Sequence, residues 1–320
     1  EKVDVKSEEE ALYVVVIGES SSKAHFGAYN YHRQTTPKLT SLSDEVLTYD
    51  KVISGHAYTI GSLLRAFSLD STFKKGNNLV QLLNAAGFET FWVSNQSPVG
   101  LYETLLTKIA RTSSNVFFSN SIDDLDPHPF DEIILPEFTK IVQSPSKRKV
   151  IFVHLMGAHG NYKLRYPDRF KKFVTENADT KESIIDHYDN AICYTDYMIN
   201  EIIQQVKKQQ TNSFVLYFSD HGEEVYDAIE FAGHTPNQKI SRNMLEIPFL
   251  LWQSPTYLQA HEIPNEPHRK YVLNNLSHSV ADLCDISANA VDFTKSVFSN
   301  QFQEVPRVIL DTLNFDQRFK

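Results

Sequence analysis

The sequence predicts an α/β fold built on a mostly parallel central sheet. Short apolar runs, suited to buried strands, alternate with segments that have helical periodicity. Helices between strands indicate parallel crossover connections, because a tight turn cannot join two parallel strands. Four of the runs end in glycine and polar residues, which is typical of strands that lead to a ligand site; they lie at 12–17, 47–53, 150–155 and 214–218.

The chain organisation indicates one domain. Among the 320 residues there is no linker-like composition, charge block or internal repeat, so we predict a single domain over 11–320 after a charged linker remnant at 1–10. The hydrophobic content of 41% is enough for a core, and the net charge of -9 argues against nucleic acid as a partner. No run approaches 18 apolar residues, so this chain is not expected to cross a membrane itself.

The first half of the chain contains several clear element signals. Thr36 is predicted to cap a helix that starts at Pro37 and runs through Leu42, and a second helix is expected to begin near Thr59. The later signals alternate between helix and strand: helix 77–86, strand 88–94, helix 101–109, strand 116–118 and helix 132–142.

The longest predicted helix covers 183–206, where apolar residues recur at helical spacing and indicate packing on the sheet. Its Asp186, His187 and Asp189 are interpreted as the solvated side. Further elements are expected after strand 214–218: a loop at 233–236, a buried strand at 247–252, a helix at 273–283 and an edge strand at 307–310. The two cysteines, Cys193 and Cys284, could form one bridge but not a disulfide framework.

The polar residues at the strand ends suggest one shared site. Glu19, His159, Asp220 and His221 each follow an apolar run, and the carboxyl ends of parallel strands meet at one edge of a sheet. Asp220 and His221 are consecutive, so both can face one ion only if the backbone bends, and Gly222 permits a bend. A strand followed by a polar turn also fits this segment.

The residue types favour a metal centre. Glu19, Asp220 and His221 offer two carboxylates and an imidazole, a mixed set that suits zinc or manganese better than calcium or magnesium. If the Thr59 hydroxyl filled a fourth position, the cation would lower its pKa and make it a nucleophile. The start of the following helix would attract a phosphate-bearing substrate.

Other interpretations remain open at this point. Thr59 could be an ordinary helix cap. His159 and His234 could bind a second metal, or one of them could donate a proton to the leaving alkoxide, and either could be a hydrogen-bonded loop residue. His154 lies inside its strand and is expected to be a hydrogen-bonded core residue or to support the site from behind.

Several segments together resemble the bacterial phosphoethanolamine transferases, which are membrane-anchored enzymes of the alkaline phosphatase and sulfatase superfamily. The opening signature is VIGESSS at 16–22 with YNYHRQTTPKL at 29–39. The Thr59 loop and later segments follow in the family's order, at 154–160, 165–167, 219–223 and 233–236.

This resemblance implies an alkaline-phosphatase-like α/β/α sandwich with zinc held by Glu19, Thr59, Asp220 and His221. One zinc ion would bind tightly and a second is possible, with His159 and His234 lining the substrate or the second ion. The implied reaction is transfer of phosphoethanolamine from phosphatidylethanolamine, through a covalent phospho-threonine, to an envelope acceptor such as a lipid A phosphate or a core sugar. The implied location is the periplasmic face of the inner membrane, with a membrane-anchoring N-terminal region outside this chain.

Four alternative functions stay open. A sulfatase would need a modified cysteine as nucleophile, whereas Cys193 and Cys284 are far from the Thr59 loop in the sequence. A phosphodiesterase or a phosphoglycerol transferase could use the same metal core. A non-catalytic domain that binds lipopolysaccharide could keep the fold.

Overall fold

A seven-stranded sheet forms the centre of the protein. The computed structural model describes residues 2–6, 9–69, 77–98, 104–119, 129–177, 180–235 and 239–320. In chain order the strands are β1 (Ala11–Gly18), β2 (Val46–Thr48), β3 (Glu89–Ser94), β4 (Asn115–Phe118), β5 (Arg148–His154), β6 (Ser213–Ser219) and β7 (Phe249–Gln253). Their spatial order is β2-β7-β6-β1-β5-β3-β4.

The sheet is mostly parallel, as the sequence predicts. β1 pairs in parallel with β5 and β6, and β5, β3 and β4 continue in parallel, whereas β7 runs antiparallel to both β6 and β2. The register places Ile17 of β1 beside His154 of β5 and Phe218 of β6. The carboxyl ends of these three strands therefore lie next to one another.

Helices cover both faces of the sheet. They are α1 (Pro37–Ser41), α2 (Thr59–Phe67), α3 (Leu79–Ala85), α4 (Thr104–Ala110), α5 (Leu135–Val142), α6 (Lys181–Lys207), α7 (Pro255–Ala260), α8 (Leu276–Leu283) and α9 (Phe315–Arg318). Within the described residues, none of these helices has the length and apolar character that crossing a bilayer requires.

β1 explains why the sheet needs two helical layers. All eight of its residues are buried, and alternate side chains point to opposite faces. Val15 and Ile17 pack in one core with residues of α2, α3 and α8, while Val14 and Val16 pack in a second core with residues of α1, α5 and α6. Burying a side chain of this size contributes roughly 1.5–3 kcal/mol, so both layers stabilise the central strand.

The apolar run at 47–53 does not behave as predicted. It splits into β2, at the edge of the main sheet, and a separate strand Val52–Ile53 that pairs in parallel with Tyr271–Val272. The antiparallel strand β7 lies between β2 and β6. Of the four apolar runs, therefore, only those that form β1, β5 and β6 are adjacent strands.

The predicted Thr36 cap is also wrong. The helix begins at Pro37, but the Thr36 side chain makes no capping hydrogen bond and instead accepts one from the Ala28 backbone N–H at 2.8 Å. Asp196 of α6 takes over the role, since its two carboxylate oxygens accept from the N–H groups of Lys38 and Leu39 at 2.9 Å each. A residue 157 positions away satisfies the helix start.

The remaining predictions differ mainly at their bounds. The helix predicted over 101–109 begins at Thr104, and residues 101–103 lie outside the described part of the chain. Within the segment predicted as a linker, Val3–Val5 pairs with Ile286–Ala288, so these three residues belong to the fold. The edge strand predicted at 307–310 is the two-residue strand Val308–Ile309, which pairs with Leu313–Asn314. Cys193 and Cys284 are buried and unbridged.

The interpretation of Asp186 and Asp189 as solvated is wrong. Asp189 is 0% exposed and Asp186 is 4% exposed, while His187 is half-buried. The Arg33 guanidinium, on the loop after β1, donates to Asp186 at 2.7 Å and to Asp189 at 2.9 Å. The carboxylates face inward because a cationic side chain from a distant segment compensates them.

His25 completes this buried cluster. Its Nδ1 lies 2.6 Å from an Asp189 oxygen and its Nε2 lies 3.0 Å from an Asp227 oxygen. Burial by itself lowers the pKa of His25, but the hydrogen bonds to Asp189 and Asp227 outweigh burial and raise that pKa to about 9. The protonated His25 ring therefore links the loop after β1 to Asp189 on helix α6 and to Asp227.

This cluster predicts a pH-dependent contribution to stability. The folded pKa of His25 lies above the unfolded value of about 6.5, so the contribution is complete below that value and is lost as pH rises through about 9. Between pH 6 and pH 10 the unfolding free energy of the wild type should fall by about 3 kcal/mol relative to His25→Gln. Urea unfolding at several pH values measures this difference.

The exposed His32, in the same loop, supplies the control. His32→Gln should keep the pH slope of the wild type. If His25→Gln also kept it, the protonated histidine would have no role in stability.

Candidate metal centre

Two neighbouring strand ends place the predicted ligands together. Glu19 directly follows β1, and Asp220 and His221 directly follow β6. Gly18 pairs with Ser219 across the two parallel strands, and the Asp220 N–H donates to the Gly18 carbonyl at 3.1 Å. Two segments that are 200 residues apart in the chain thus enter the same space.

The side chains form a compact buried cluster. Glu19 Oε1 lies 3.2 Å from His221 Nε2, and Asp220 Oδ2 lies 3.5 Å from the same nitrogen. One ligand atom from each of the three residues lies within 4.8 Å of the others. The Thr59 hydroxyl donates to Glu19 Oε2 at 3.1 Å. The structure therefore brings together all four residues that the sequence suggests as metal ligands.

Glycines permit the close backbone approach around this cluster. A Cβ at Gly222 would lie 2.0 Å from the Asn243 carbonyl oxygen, so a larger residue would displace that backbone. A Cβ at Gly157 would lie 2.7 Å from the Glu19 carbonyl oxygen, and Gly157 also has a positive φ of 54°. Gly222 has no positive φ, so close approach rather than an unusual backbone angle requires glycine there.

Asp220 and His221 are oriented by their own backbone. Asp220 Oδ1 accepts from the N–H groups of Ser20 at 3.1 Å and His221 at 2.7 Å. His221 Nδ1 lies 2.7 Å from the Gly222 carbonyl oxygen, which can only accept, so Nδ1 carries a proton. This leaves Asp220 Oδ2 and His221 Nε2 beside Glu19, in the arrangement expected of metal ligands.

The electrostatics of the cluster favour a cation. Burial raises the pKa of Asp220, and the nearby charge of Glu19 raises it further. Burial opposes ionisation of Glu19, but the contact of its carboxylate with the His221 ring, at 3.2 Å, lowers its pKa. Burial would lower the pKa of His221, yet Asp220 and Glu19 raise it to about 10. The cluster therefore retains protons that a divalent cation could replace.

Two orphaned polar atoms support the same fit. Asp220 Oδ2 and His221 Nε2 are buried and make no hydrogen bond within the described residues. Buried polar atoms normally have partners, so such atoms require an explanation. Two carboxylates, an imidazole and a hydroxyl form a donor set that fits zinc.

Thr59 is not a conventional helix cap. It is the first residue of α2, and its half-buried hydroxyl donates to Glu19 rather than accepting a backbone N–H. The residue before the helix, Tyr58, makes no side-chain cap either. The first N–H groups of the nine-residue helix α2 have no acceptor within the helix. They lie at the same helix end as the Thr59 hydroxyl.

The two predicted histidines lie next to this cluster. The ring centroid of His234 lies 4.3 Å from that of His221 and 6.5 Å from that of His159. His234 is half-buried and His159 is exposed. His221, Glu223 and His234 form a second group whose ligand atoms lie within 4.8 Å of one another.

Sequence reasoning assigned no role to Glu223. It is buried, accepts a hydrogen bond from the Tyr162 hydroxyl at 2.5 Å, and lies 2.7 Å from His234 Nδ1. The sequence did contain one signal for Glu223, which lies two residues after His221. Alternate residues of an extended segment point the same way, so Glu223 could be expected on the same side as His221.

His154 is buried in β5, where burial lowers its pKa to about 4. Its Nε2 makes no hydrogen bond to a described residue. His154 is thus a neutral buried histidine and not a fully hydrogen-bonded core residue, while its support of the site from behind stays a prediction.

The chain belongs to the sulfatase family, whose family model matches residues 11–286. Among its relatives, the phosphoethanolamine transferase EptC of Escherichia coli K12 is 34% identical over 325 residues, which cover 96% of this chain and 56% of EptC. The phosphoethanolamine transferase CptA of Salmonella typhimurium is 34% identical over 315 residues, which cover 92% of this chain and 54% of CptA. The chain therefore spans about half the length of the curated relatives that it matches.

A solved structure extends this similarity to three dimensions. The C-terminal periplasmic domain of EcEptC from Escherichia coli, in complex with zinc, matches with a TM-score of 0.90 and 30% identity. The match covers 98% of this chain and 95% of that domain. The predicted alkaline-phosphatase-like α/β/α fold and the resemblance to phosphoethanolamine transferases are thus confirmed.

The cluster predicts that Asp220→Asn weakens zinc binding by about 100-fold or more. The amide oxygen can keep both backbone hydrogen bonds of Oδ1, whereas the charge next to His221 Nε2 is lost. When a chelator has removed the metal, the thermal stability of the variant should be at least that of the wild type, because a buried carboxylate without a cation is unfavourable. Competition with a fluorescent zinc chelator and thermal unfolding measure the two effects.

Asp282→Asn on α8 is the control and should leave zinc affinity unchanged. Zinc affinity of Asp220→Asn equal to that of the wild type would contradict the metal centre.

Proposed function

We propose that this chain is the catalytic domain of a zinc-dependent phosphoethanolamine transferase. Its similarity to EptC and CptA supports this function. The observation that carries the proposal is the Thr59 hydroxyl, which lies 3.1 Å from Glu19 at the start of α2 and beside the buried cluster. A hydroxyl in this position is an activated nucleophile at the place where a helix start attracts phosphate.

Glu19, Thr59, Asp220 and His221 would hold one zinc ion tightly. When bound, zinc supplies a positive charge that lowers the pKa of a hydroxyl group among its ligands. The second group, with His234 and Glu223 beside His221, leaves room for a further ion, and His159 lies next to it. The zinc in the EcEptC domain supports the choice of metal.

The first half of the reaction loads the enzyme. Thr59 Oγ forms a bond to the phosphorus of phosphatidylethanolamine, and the bond from phosphorus to the glycerol oxygen breaks. The Thr59 proton is released to solvent, and the departing diacylglycerol alkoxide takes up one proton. His234, held by Glu223 at 2.7 Å, or His159 supplies that proton. Phosphoethanolamine remains on Thr59 as a phosphodiester.

The second half of the reaction transfers the group. An oxygen of the acceptor forms a bond to phosphorus, and the bond between phosphorus and Thr59 Oγ breaks. Thr59 takes up a proton from solvent, and an acceptor hydroxyl releases its proton to solvent. The acceptor is a lipid A phosphate, a core sugar or a similar envelope group. A Kdo(2)-lipid A phosphoethanolamine 7''-transferase of Escherichia coli, 26% identical over 269 residues, supports this class of acceptor.

The domain would act at the periplasmic face of the bacterial inner membrane, where phosphatidylethanolamine is its donor. The periplasmic location of the EcEptC domain supports this placement. Membrane association would come from a region outside this chain, as the sequence resemblance implies.

Thr59→Ala should abolish formation of the covalent intermediate and reduce transfer below detection, because no other group replaces the hydroxyl. The zinc-loaded wild type, incubated with phosphatidylethanolamine vesicles, should gain the mass of one phosphoethanolamine group on the peptide that contains Thr59. Intact-protein and peptide mass spectrometry measure this gain.

Thr59→Ser keeps a hydroxyl and should still be labelled, at a lower rate. Labelling of Thr59→Ala would overturn the assignment of the nucleophile. Release of free phosphoethanolamine by the wild type in the presence of acceptor would instead support the phosphodiesterase alternative.

His234→Ala should reduce the rate of donor cleavage more than the zinc content, because His234 lies beyond the buried ligand cluster and is half-buried. We expect a rate loss of about 10²-fold or more, the typical contribution of a positioned proton donor. Metal analysis and single-turnover cleavage of phosphatidylethanolamine give the two values.

The exposed His268, which pairs with Asp50, provides the control variant His268→Ala and should change neither quantity. An equal loss of zinc and rate in His234→Ala would make His234 a primary ligand.

A further inference from the structure

A polar cleft of about 980 Å³ opens at the side of α2, the helix that begins with Thr59. Its characteristic polar side chains are Arg65, Asn274, Asn275, His278, Asn289 and Lys295. The volume lies in the range of sites that enclose a small ligand. None of the residues assigned above to metal binding or proton transfer lines this cleft.

The cleft is joined to the nucleophile by short segments. Arg65 follows Thr59 by six residues on α2, which corresponds to a rise of about 9 Å along the helix. Arg65 donates two hydrogen bonds to Asp311, at 2.7 and 2.6 Å, and Asp311 also lies 3.4 Å from His56 Nε2. The loop that leads into Thr59 therefore packs against the cleft wall.

Asn274 forms part of the same contact. A Cβ at Gly55 would lie 2.1 Å from Asn274 Oδ1, so the loop approaches this side chain closely. Asn274 Oδ1 is buried and makes no hydrogen bond to any described residue. This amide oxygen is therefore packed against the nucleophile loop at Gly55, which joins the cleft wall to that loop.

The other cleft groups can donate and accept hydrogen bonds. The side chains of Asn275 and Asn289 make no hydrogen bond to other described residues, and each amide offers two donors and an acceptor. His278 is only 7% exposed, and its Nδ1 accepts from the Asp292 N–H at 3.2 Å. Burial, with the nearby Lys295, lowers the pKa of His278 to about 4, so its Nε2 carries a proton that can be donated.

The charges of the cleft are already compensated. Arg65 pairs with Asp311 and Lys295 pairs with Asp292 at 3.4 Å, so neither cation requires an anionic ligand. A strongly anionic ligand would be repelled by the carboxylates of Asp292 and Asp311, which also line the cleft. The balance favours an uncharged ligand that is rich in hydroxyl groups, since amides and a neutral imidazole complement hydroxyls by donating and accepting.

We propose that this polar cleft binds the saccharide portion of the acceptor, with sugar hydroxyls on Asn275, Asn289 and His278. The inference rests on the proposed transferase function for its role in catalysis. The cleft thus determines the class of acceptor, whereas the metal centre determines the chemistry.

The double variant Asn275→Ala and Asn289→Ala tests the proposal with little risk to folding. Asn275 precedes α8 without a side-chain cap, and Asn289 is exposed. Asn300→Ala is the matched control, because Asn300 is an exposed asparagine that lines a different cavity. Thermal unfolding confirms that all variants are folded.

Direct binding is measured first, by calorimetry with the dephosphorylated core oligosaccharide of lipopolysaccharide, which lacks the anionic phosphate groups. The double variant should bind about tenfold or more weakly than the wild type, because two hydrogen-bonding side chains are lost. The control should bind like the wild type. Equal binding by the double variant, or no binding by the wild type, would overturn the proposal.

Kinetics then separate this inference from the proposed function. In the double variant, single-turnover cleavage of phosphatidylethanolamine should keep its rate, while KM for the oligosaccharide acceptor rises about tenfold. If the wild type binds the oligosaccharide through these asparagines but cleaves no donor, the proposed function fails and the saccharide site stands. If donor cleavage proceeds and KM does not change, the cleft is not the acceptor site.

Discussion

The structure depends on the burial of ionisable side chains where β1 and β6 end. Glu19, Asp220 and His221 are each at most 1% exposed, and they face one another rather than solvent. Burying such groups is unfavourable unless they are paired or bind a metal. The parallel register of the two strands, the close approach at Gly222 and the hydroxyl of Thr59 all serve this one arrangement.

The protein compensates buried carboxylates in two different ways. On α6, Asp189 is neutralised by the protein itself, through Arg33 and a histidine whose pKa is about 9. At the strand ends, no arginine or lysine among the described residues pairs with Glu19 or Asp220. The first arrangement holds the loop after β1 in place, and the second leaves a site whose retained protons an external cation can replace.

In the proposed transfer reaction, the metal centre and the polar cleft would have different roles. In the proposed reaction, Glu19 and its neighbours would act on the phosphoryl group, where charge compensation has the largest effect on the barrier. The cleft amides instead offer many neutral hydrogen bonds, which suit recognition of a hydroxyl-rich molecule. Helix α2 joins the two, because it carries Thr59 at one end and Arg65 near the other.

The sequence by itself determined the strands at the site and the chemical types that follow them. Buried parallel strands are uniformly apolar, so their ends are visible as abrupt changes to Glu19 or Asp220. Only the tertiary structure decided which charges are compensated: Asp196 caps a helix 157 residues away, and Asp189 is buried against Arg33. It also placed an antiparallel strand between β2 and the other predicted strands. Local pattern cannot reveal these features, because each depends on a partner that folding alone brings near.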